Sequence, residues 1–157
     1  LTRRAGATMH GVLAFRHESA EMDLKLTNAI LPEDDAESPL IVIVDDDSSF
    51  RTAISRLLRL WGFRIESFGS AEEFLQHRTG AHCIILDLHL GGMSGLELQT
   101  RLTEDGRQVP IVFVTAVEDA MVRRRALDAG AAAYLEKPFD ERRLMDVLLA
   151  VIDYRPE

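Results

Sequence analysis

Six polar residues in this sequence lie at or just after the ends of apolar runs, where buried strands would stop: Asp45, Asp46, Asp47, Asp87, Thr115 and Lys137. Asp87 shows the pattern most clearly, because it closes the run Cys83-Ile84-Ile85-Leu86 and leaves one carboxylate at the edge of a sheet. Carboxylates, a hydroxyl and an ammonium at one edge can bind a cation and act on a phosphoryl group. The pattern therefore predicts chemistry at this edge.

A cluster of these carboxylates requires positive charge. Two carboxylates about 4 Å apart repel each other by about 4 kcal/mol at an effective dielectric constant near 20. Oxygen ligands at an open edge favour Mg²⁺, and Lys137 supplies a second positive charge in a chain whose only other lysine is Lys25. Asp87 is the candidate nucleophile that would form an aspartyl phosphate, and Thr115 is the candidate donor to a phosphoryl oxygen.

The elements that would position these residues alternate between strand and helix. Strands are predicted at 40–44, 63–67, 82–86, 109–114 and 131–135. Near-continuous apolar strands are typical of a parallel sheet with helices on both faces, so the fold class is α/β with a doubly wound five-stranded sheet. In such open sheets, ligands bind beyond the carboxyl ends of the strands.

Five helices fill the segments between and after the strands. The first is predicted at 48–61, and Gly62 ends it; Asp47 is either its N-terminal cap or a member of the acidic cluster. Ser70 and Ser94 cap the next two helices, Gly130 ends the fourth, and the last begins at Asp140.

Composition indicates one compact domain. The chain has 157 residues, 46% of them hydrophobic, and a net charge of −8, which opposes binding to nucleic acid or anionic membranes. No apolar run approaches the roughly 20 residues that span a bilayer, and the single cysteine, Cys83, falls inside a strand, so we expect a cytoplasmic protein. Residues 1–39 are predicted to be a mobile extension with an acidic linker, 40–153 the domain and 154–157 a tail.

Several motifs, in this order along residues 40–153, resemble the receiver domain of bacterial two-component response regulators: Val44-Asp45-Asp46-Asp47, Leu86-Asp87, Met93-Ser94-Gly95-Leu96-Glu97, Thr115-Ala116, Ala129-Gly130-Ala131 and Tyr134-Leu135-Glu136-Lys137-Pro138-Phe139. Two segments, 70–75 and 137–140, resemble especially the receivers of nitrogen-fixation-type regulators with helix-turn-helix outputs. The resemblance implies a flavodoxin-like receiver fold with strand order 2-1-3-4-5.

The resemblance also implies a role for each residue of the acidic site. Asp87 would accept a phosphoryl group from a sensor histidine kinase or a phosphotransfer protein. Asp46, Asp87 and the backbone carbonyl of His89 would bind Mg²⁺ directly, and Asp45 would bind it through water. Lys137 would pair with the phosphoryl group.

Switching is implied at three further positions. Thr115 would move toward the phosphoryl group and Tyr134 would rotate inward behind it, reshaping the surface of helix 4, strand 5 and helix 5. That surface would control partner binding or homodimer formation. Pro138 is expected to follow a cis peptide bond, and Tyr134 has the alternative of being static packing. The domain would be a signalling switch rather than an enzyme, apart from its own phosphorylation and slow dephosphorylation.

One departure and two alternatives accompany this interpretation. Gly91-Gly92 stands where the family usually has a proline four residues after the acceptor, which predicts a more mobile loop. The segment 45–49 also resembles the nucleophile motif of haloacid-dehalogenase-type phosphatases, in which Asp45 would be attacked. A degenerate receiver that binds partners without phosphate is the other alternative.

Overall fold

The computed structural model describes residues 38–153, so the predicted extension before Ser38 and the tail 154–157 lie outside the described residues. The elements are β1 (Leu40–Val44), α1 (Ser48–Leu60), β2 (Arg64–Phe68), α2 (Ala71–Leu75), β3 (Cys83–Leu86), α3 (Gly95–Glu104), β4 (Ile111–Thr115), α4 (Ala120–Asp128), β5 (Ala133–Glu136) and α5 (Glu141–Asp153).

The five strands form one parallel sheet in the order β2-β1-β3-β4-β5. The register pairs Val44 with Phe68 on one side and with Leu86 on the other, and it pairs Thr115 with Glu136. All strand ends therefore meet at one edge, and the predicted doubly wound fold and strand order are confirmed.

The two faces of the sheet bury alternate side chains of the same strands. One face packs against α2, α3 and α4 in an apolar cluster that includes Val42, Val44, Phe74, Ile84, Leu86, Leu98, Leu102, Phe113 and Ala126. Ile41 and Ile43 point by alternation to the opposite face, and they are fully buried, as are Leu58 of α1 and Leu144 of α5. Helices thus cover both faces, which explains why β1 carries no exposed residue.

Cys83 belongs to this buried interior. Its side chain is inaccessible to solvent, and burial raises the pKa of the thiol to about 12. Cys83 therefore packs in the core as a small buried hydrophobe. Within residues 38–153, no helix is both long and apolar enough to cross a membrane.

Helix ends follow the sequence signals. The Asp47 carboxylate accepts from the backbone N–H groups of Ser49 (2.9 Å) and Phe50 (3.2 Å), so the capping interpretation of Asp47 describes its place in the fold. Gly130 has φ near +102°, a conformation that side chains disfavour, and Ala131 N–H then donates to the Ala126 carbonyl to close α4.

Strands β4 and β5 begin about two residues later than predicted. Pro110 has no N–H to donate, so its ladder contact is limited to its carbonyl, which accepts from Ile84 N–H. Ala131 is used in the turn that ends α4, and β5 starts at Ala133. In both cases the apolar run includes residues of the preceding turn, which hydrophobicity alone does not separate from the strand.

Candidate functional site

The acidic site begins where the ladders of β1 and β3 extend one residue past each strand. Asp45 N–H donates to the carbonyl of Phe68 (3.2 Å), and Asp87 N–H donates to the carbonyl of Val44 (3.0 Å). The sheet therefore fixes the backbone of both acidic residues, and their carboxylates project at its carboxyl edge.

Three carboxylates converge there. One oxygen from each of Asp45, Asp46 and Asp87 lies within 4.8 Å of the others. Asp45 and Asp87 are buried, with 1% and 8% of their surface exposed, whereas Asp46 is exposed. A set of hard oxygen donors with one side open to water is the kind of site that Mg²⁺ occupies, so the residues fit this ion.

Lys137 enters the cluster from the end of β5. Its Nζ lies 2.7 Å from Asp45 Oδ2 and 3.6 Å from Asp87 Oδ2. Its backbone N–H donates to the Thr115 carbonyl at 2.8 Å, and the Lys137–Pro138 peptide bond is cis. The ladder between β4 and β5 therefore fixes the backbone of Lys137 beside the two buried acids.

The electrostatic balance at Asp45 is set by burial. Loss of hydration raises the pKa of the Asp45 carboxyl, and this effect exceeds the opposing hydrogen bonds from Lys137 and from the backbone N–H of Asp47. The negative charge of Asp87 raises the pKa of Asp45 further. The ionised cluster is therefore short of positive charge, which favours uptake of a cation.

The predicted switch residues, Thr115 and Tyr134, both bond to the peptide groups of Val117. Thr115 is fully buried, and its Oγ1 accepts from Val117 N–H at 3.3 Å. The Tyr134 hydroxyl donates to the Val117 carbonyl at 2.9 Å, and the residue is 5% exposed. Burial, aided by the charges of Glu136 and Asp119, raises the pKa of Tyr134.

His89 lies in the loop that follows the predicted acceptor. Its backbone N–H donates to Asp87 Oδ1 at 3.3 Å, which orients the Asp87 carboxylate. The role of the His89 carbonyl as a metal ligand stays a prediction.

Two site residues on α1 were missed by the sequence analysis. The Phe50 ring centroid is 3.8 Å from Lys137 Nζ, although the sequence analysis gave Phe50 no role beyond membership of the predicted helix 48–61. The Arg51 guanidinium donates from Nη1 to the Asp45 carbonyl at 2.6 Å and so holds the loop after β1. The only signal for either residue is its position in the first turn after the acidic run.

A third missed residue, Glu72 of α2, contacts the loop after β3. Met93 N–H donates to Glu72 Oε1 at 2.6 Å, and this bond lowers the pKa of the Glu72 carboxyl. A side chain at Gly92 would overlap the same carboxylate. The residue after Gly91-Gly92 is therefore bonded to Glu72, and this bond is sterically possible because Gly92 has no Cβ.

The family model of the response regulator receiver domain matches residues 41–149. This chain belongs to that family. The match confirms the predicted resemblance to the receiver domains of two-component response regulators.

Relatives of this receiver domain are longer proteins. TodT, a response regulator protein of Pseudomonas putida, is 38% identical over 120 residues, which cover 75% of this chain and 53% of TodT. The transcriptional regulatory protein TdiR of Thauera aromatica is 33% identical over 114 residues, or 71% of this chain and 50% of TdiR. The chain thus spans about half the length of these curated relatives.

Solved structures agree with the receiver fold. The response regulator StyR is 44% identical and aligns with a TM-score of 0.69, over 73% of this chain and 59% of the StyR chain. The match supports the sheet order and helix arrangement described above.

Proposed function

We propose that this receiver domain is a phosphoacceptor switch in which Asp87 takes a phosphoryl group from the phosphohistidine of a sensor histidine kinase or a phosphotransfer protein. The observation that carries the proposal is the convergence of Asp87, Asp45 and Lys137. Asp87 has one oxygen 3.6 Å from an ammonium and lies within 4.8 Å of two further carboxylates. This arrangement suits attack on a phosphoryl group whose charge must be neutralised.

The transfer step uses groups of this chain. A carboxylate oxygen of Asp87 attacks phosphorus, so that an O–P bond forms while the N–P bond to the donor imidazole breaks. The electron pair of the broken bond stays on the imidazole nitrogen, which takes up a proton. Lys137 moves from Asp45 toward an outer phosphoryl oxygen and neutralises part of its charge.

Mg²⁺ is the cofactor that these donors suit best. Asp46, Asp87 and the backbone carbonyl of His89 would hold the ion directly, and Asp45 would hold it through water. When bound, the ion offsets the negative charge of the carboxylates and of the incoming phosphoryl group. The exposure of Asp46 leaves this side of the site open to water, as Mg²⁺ requires.

Val117 supports a physical link between the site and the outer surface. Thr115 Oγ1 accepts from Val117 N–H, so a turn of the hydroxyl toward a phosphoryl oxygen gives up that bond. Movement of Val117 then alters the contact between its carbonyl and the Tyr134 hydroxyl. We infer that phosphorylation reshapes the surface of α4, β5 and α5 in this way.

That surface is where we expect the output. On α4, Met121 and Leu127 are 77% and 39% exposed, which gives apolar area for a homodimer or another protein.

TdiR is a transcriptional regulatory protein, and by likeness we infer a regulator of transcription here. DNA contact by the receiver itself is disfavoured by the net charge of −8. We also infer a cytoplasmic location and a receiver domain at 40–153.

The alternative functions are less well supported. Both oxygens of Asp45 are already hydrogen-bonded, to Lys137 Nζ and to Asp47 N–H, and the residue is 1% exposed. These contacts oppose the phosphatase interpretation, in which Asp45 is the nucleophile. The degenerate receiver is opposed by the presence of acceptor, acidic residues, hydroxyl and lysine at the same edge.

Incubation with acetyl phosphate and Mg²⁺, followed by mass spectrometry of the labelled peptide, tests the proposed function. We expect one acyl phosphate on Asp87, none in Asp87→Asn, and none when EDTA replaces Mg²⁺. A phosphoryl group on Asp45 would establish the phosphatase interpretation instead. If the wild-type protein stays unmodified, and beryllofluoride with Mg²⁺ leaves its NMR spectrum unchanged, the degenerate receiver is established.

A further inference from the structure

Phe50, in the first turn of α1, contacts the reactive lysine. Its ring centroid is 3.8 Å from Lys137 Nζ, and the same ammonium is 2.7 Å from Asp45 Oδ2. The lysine nitrogen thus lies between an aromatic face and a pair of carboxylates. The face of an aromatic ring attracts a cation within about 6 Å of its centroid, and the attraction grows when water is excluded.

The ring of Phe50 is itself held in place. Phe139, two residues beyond Lys137, meets Phe50 edge to face, with centroids 6.3 Å apart and an interplanar angle of 80°. The Phe50 backbone N–H is bonded to the capping carboxylate of Asp47. The aromatic face therefore has a fixed position over the site.

Lys137 needs such a support because its stem is long and flexible. The side chain is 20% exposed, so the ammonium has a route to water, and within residues 38–153 its ion pairs are a 2.7 Å contact to Asp45 and a 3.6 Å contact to Asp87. During phosphoryl transfer the ammonium must leave Asp45. At that moment an apolar but electrostatically attractive surface keeps the ammonium in the site without the directional hydrogen bond that a polar partner would impose.

We propose that Phe50 is a positioning residue for Lys137, an inference that rests on the proposed phosphoacceptor function. The ring holds the ammonium beside Asp87 and lets it pass from Asp45 to a phosphoryl oxygen without swinging into solvent. Phe50 touches neither the acceptor nor the incoming group in this scheme, and it acts only through the lysine.

Lysine NMR tests the contact directly, because Lys137 and Lys25 are the only lysines in the sequence. Biosynthetic ¹³C-lysine labelling gives two side-chain signals, and Lys137→Arg assigns them by elimination. The ring current of Phe50 shields protons held over its face, so the ε-CH₂ protons of Lys137 are expected upfield of those of a free lysine. Phe50→Leu keeps an apolar side chain and is expected to abolish this upfield shift, whereas Phe50→Tyr keeps it.

Phosphorylation kinetics test the consequence. We expect Phe50→Leu to slow labelling of Asp87 by acetyl phosphate by roughly three- to tenfold, in proportion to a cation–π contact of ordinary strength. Affinity for Mg²⁺, measured by calorimetry, is expected to change by less than about twofold, because the lysine is not a metal ligand. Phe50→Tyr is expected to restore the wild-type rate. Thermal unfolding of each variant separates loss of positioning from loss of folding.

An upfield Lys137 signal that persists in Phe50→Leu, or a labelling rate equal to wild type in that variant, would overturn the proposal. A parallel loss of Mg²⁺ affinity and labelling rate would also overturn it, since that result indicates general disruption of the site. If wild-type Asp87 is never labelled, the proposed function is wrong, and the lysine signal alone still decides whether the ring holds the ammonium.

Discussion

Lys137 lies closer to Asp45 than to Asp87, the proposed acceptor: its Nζ is 2.7 Å from Asp45 Oδ2 and 3.6 Å from Asp87 Oδ2. Asp45 is the more deeply buried of the two acids, and an ionised carboxylate there has the greater need of a partner. The lysine therefore neutralises the interior acid while it remains within reach of the reactive one.

The first prediction concerns the pH dependence of stability. Burial raises the folded-state pKa of Asp45 above its usual 3.8, so this group favours the fold at low pH, and the contribution is lost as pH rises through the raised pKa. We expect the free energy of unfolding of wild type, minus that of Asp45→Asn, to fall as pH rises above 3.8 and then to level off. Urea denaturation in EDTA measures both.

In that comparison the asparagine variant is the non-titrating reference, so constant differences in packing cancel. A difference that grows with pH would mean that attraction to Lys137 outweighs burial. It would then be the lysine, and not loss of hydration, that sets the protonation of the cluster.

A second prediction concerns metal binding. Mg²⁺ that binds only the folded state raises the free energy of unfolding by about 2.7 kcal/mol at a concentration one hundred times the dissociation constant. We expect Asp46→Asn to lose most of this stabilisation, because its exposed carboxylate belongs to the three-oxygen cluster. Thermal melts across a Mg²⁺ titration supply the measurement.

Asp47→Asn is the matched control for the metal prediction. Asp47 is adjacent in sequence but caps α1 instead of joining the cluster, and asparagine caps helices as well as aspartate does. The control variant should respond to Mg²⁺ as wild type does. Equal responses from both variants would argue against direct ligation by Asp46.

The third prediction concerns the close approach at Gly95. A Cβ at this position would overlap the carbonyl oxygen of Asp87 and lie 3.0 Å from the Cα of Leu88. Because these obstacles are backbone atoms, Gly95→Ala must displace the segment after β3 that contains Asp87 and Leu88. We expect a loss of about 1–3 kcal/mol in the free energy of unfolding and slower labelling of Asp87.

Gly91→Ala is the control for Gly95→Ala, since a Cβ at Gly91 meets nothing within 4 Å. Its effect on stability should stay within about 0.5 kcal/mol. A comparable loss in the two variants would mean that glycine flexibility in this loop, and not the approach to Asp87, is what matters.

The fourth prediction tests the contact between α2 and the loop after β3. Glu72→Ala removes the acceptor of the Met93 N–H bond, and Gly92→Ala adds a Cβ that overlaps the Glu72 carboxylate. Each change should speed hydrogen exchange at the Met93 amide. Because both act on one contact, the double variant should exchange no faster than Glu72→Ala alone, whereas additive effects would indicate separate causes.

The sequence was sufficient to predict the sheet and the acids because both depend on local pattern. Asp45 and Asp87 each end an apolar run, and parallel strands bring such ends to one edge whatever the loops do. The same reasoning located Thr115 and Lys137. Strand starts were less accurate, since the apolar runs that contain Pro110 and Ala131 continue from the preceding turn into the strand, and hydrophobicity does not mark where the turn ends.

Side-chain contacts between distant segments could not be predicted in the same way. Phe50 fits the apolar stripe of α1, and periodicity cannot reveal that its ring faces a lysine 87 positions later; this contact depends on the turn after β5. The bond from Met93 to Glu72 joins residues 21 apart in sequence, through the conformation of a loop that contains two glycines. Both contacts require knowledge of assembled tertiary structure.

The hydrogen bonds to both Asp45 carboxylate oxygens limit the number of phosphorylation sites in one molecule. Lys137 and Asp47 already bond to that acid, so under the proposed function Asp87 is the one buried carboxylate of residues 38–153 left to be phosphorylated, and each molecule would carry one phosphoryl group or none. A single molecule would then have no intermediate level of phosphorylation. A stimulus of intermediate strength would instead set the fraction of molecules that carry a phosphoryl group, and any graded output would follow that fraction.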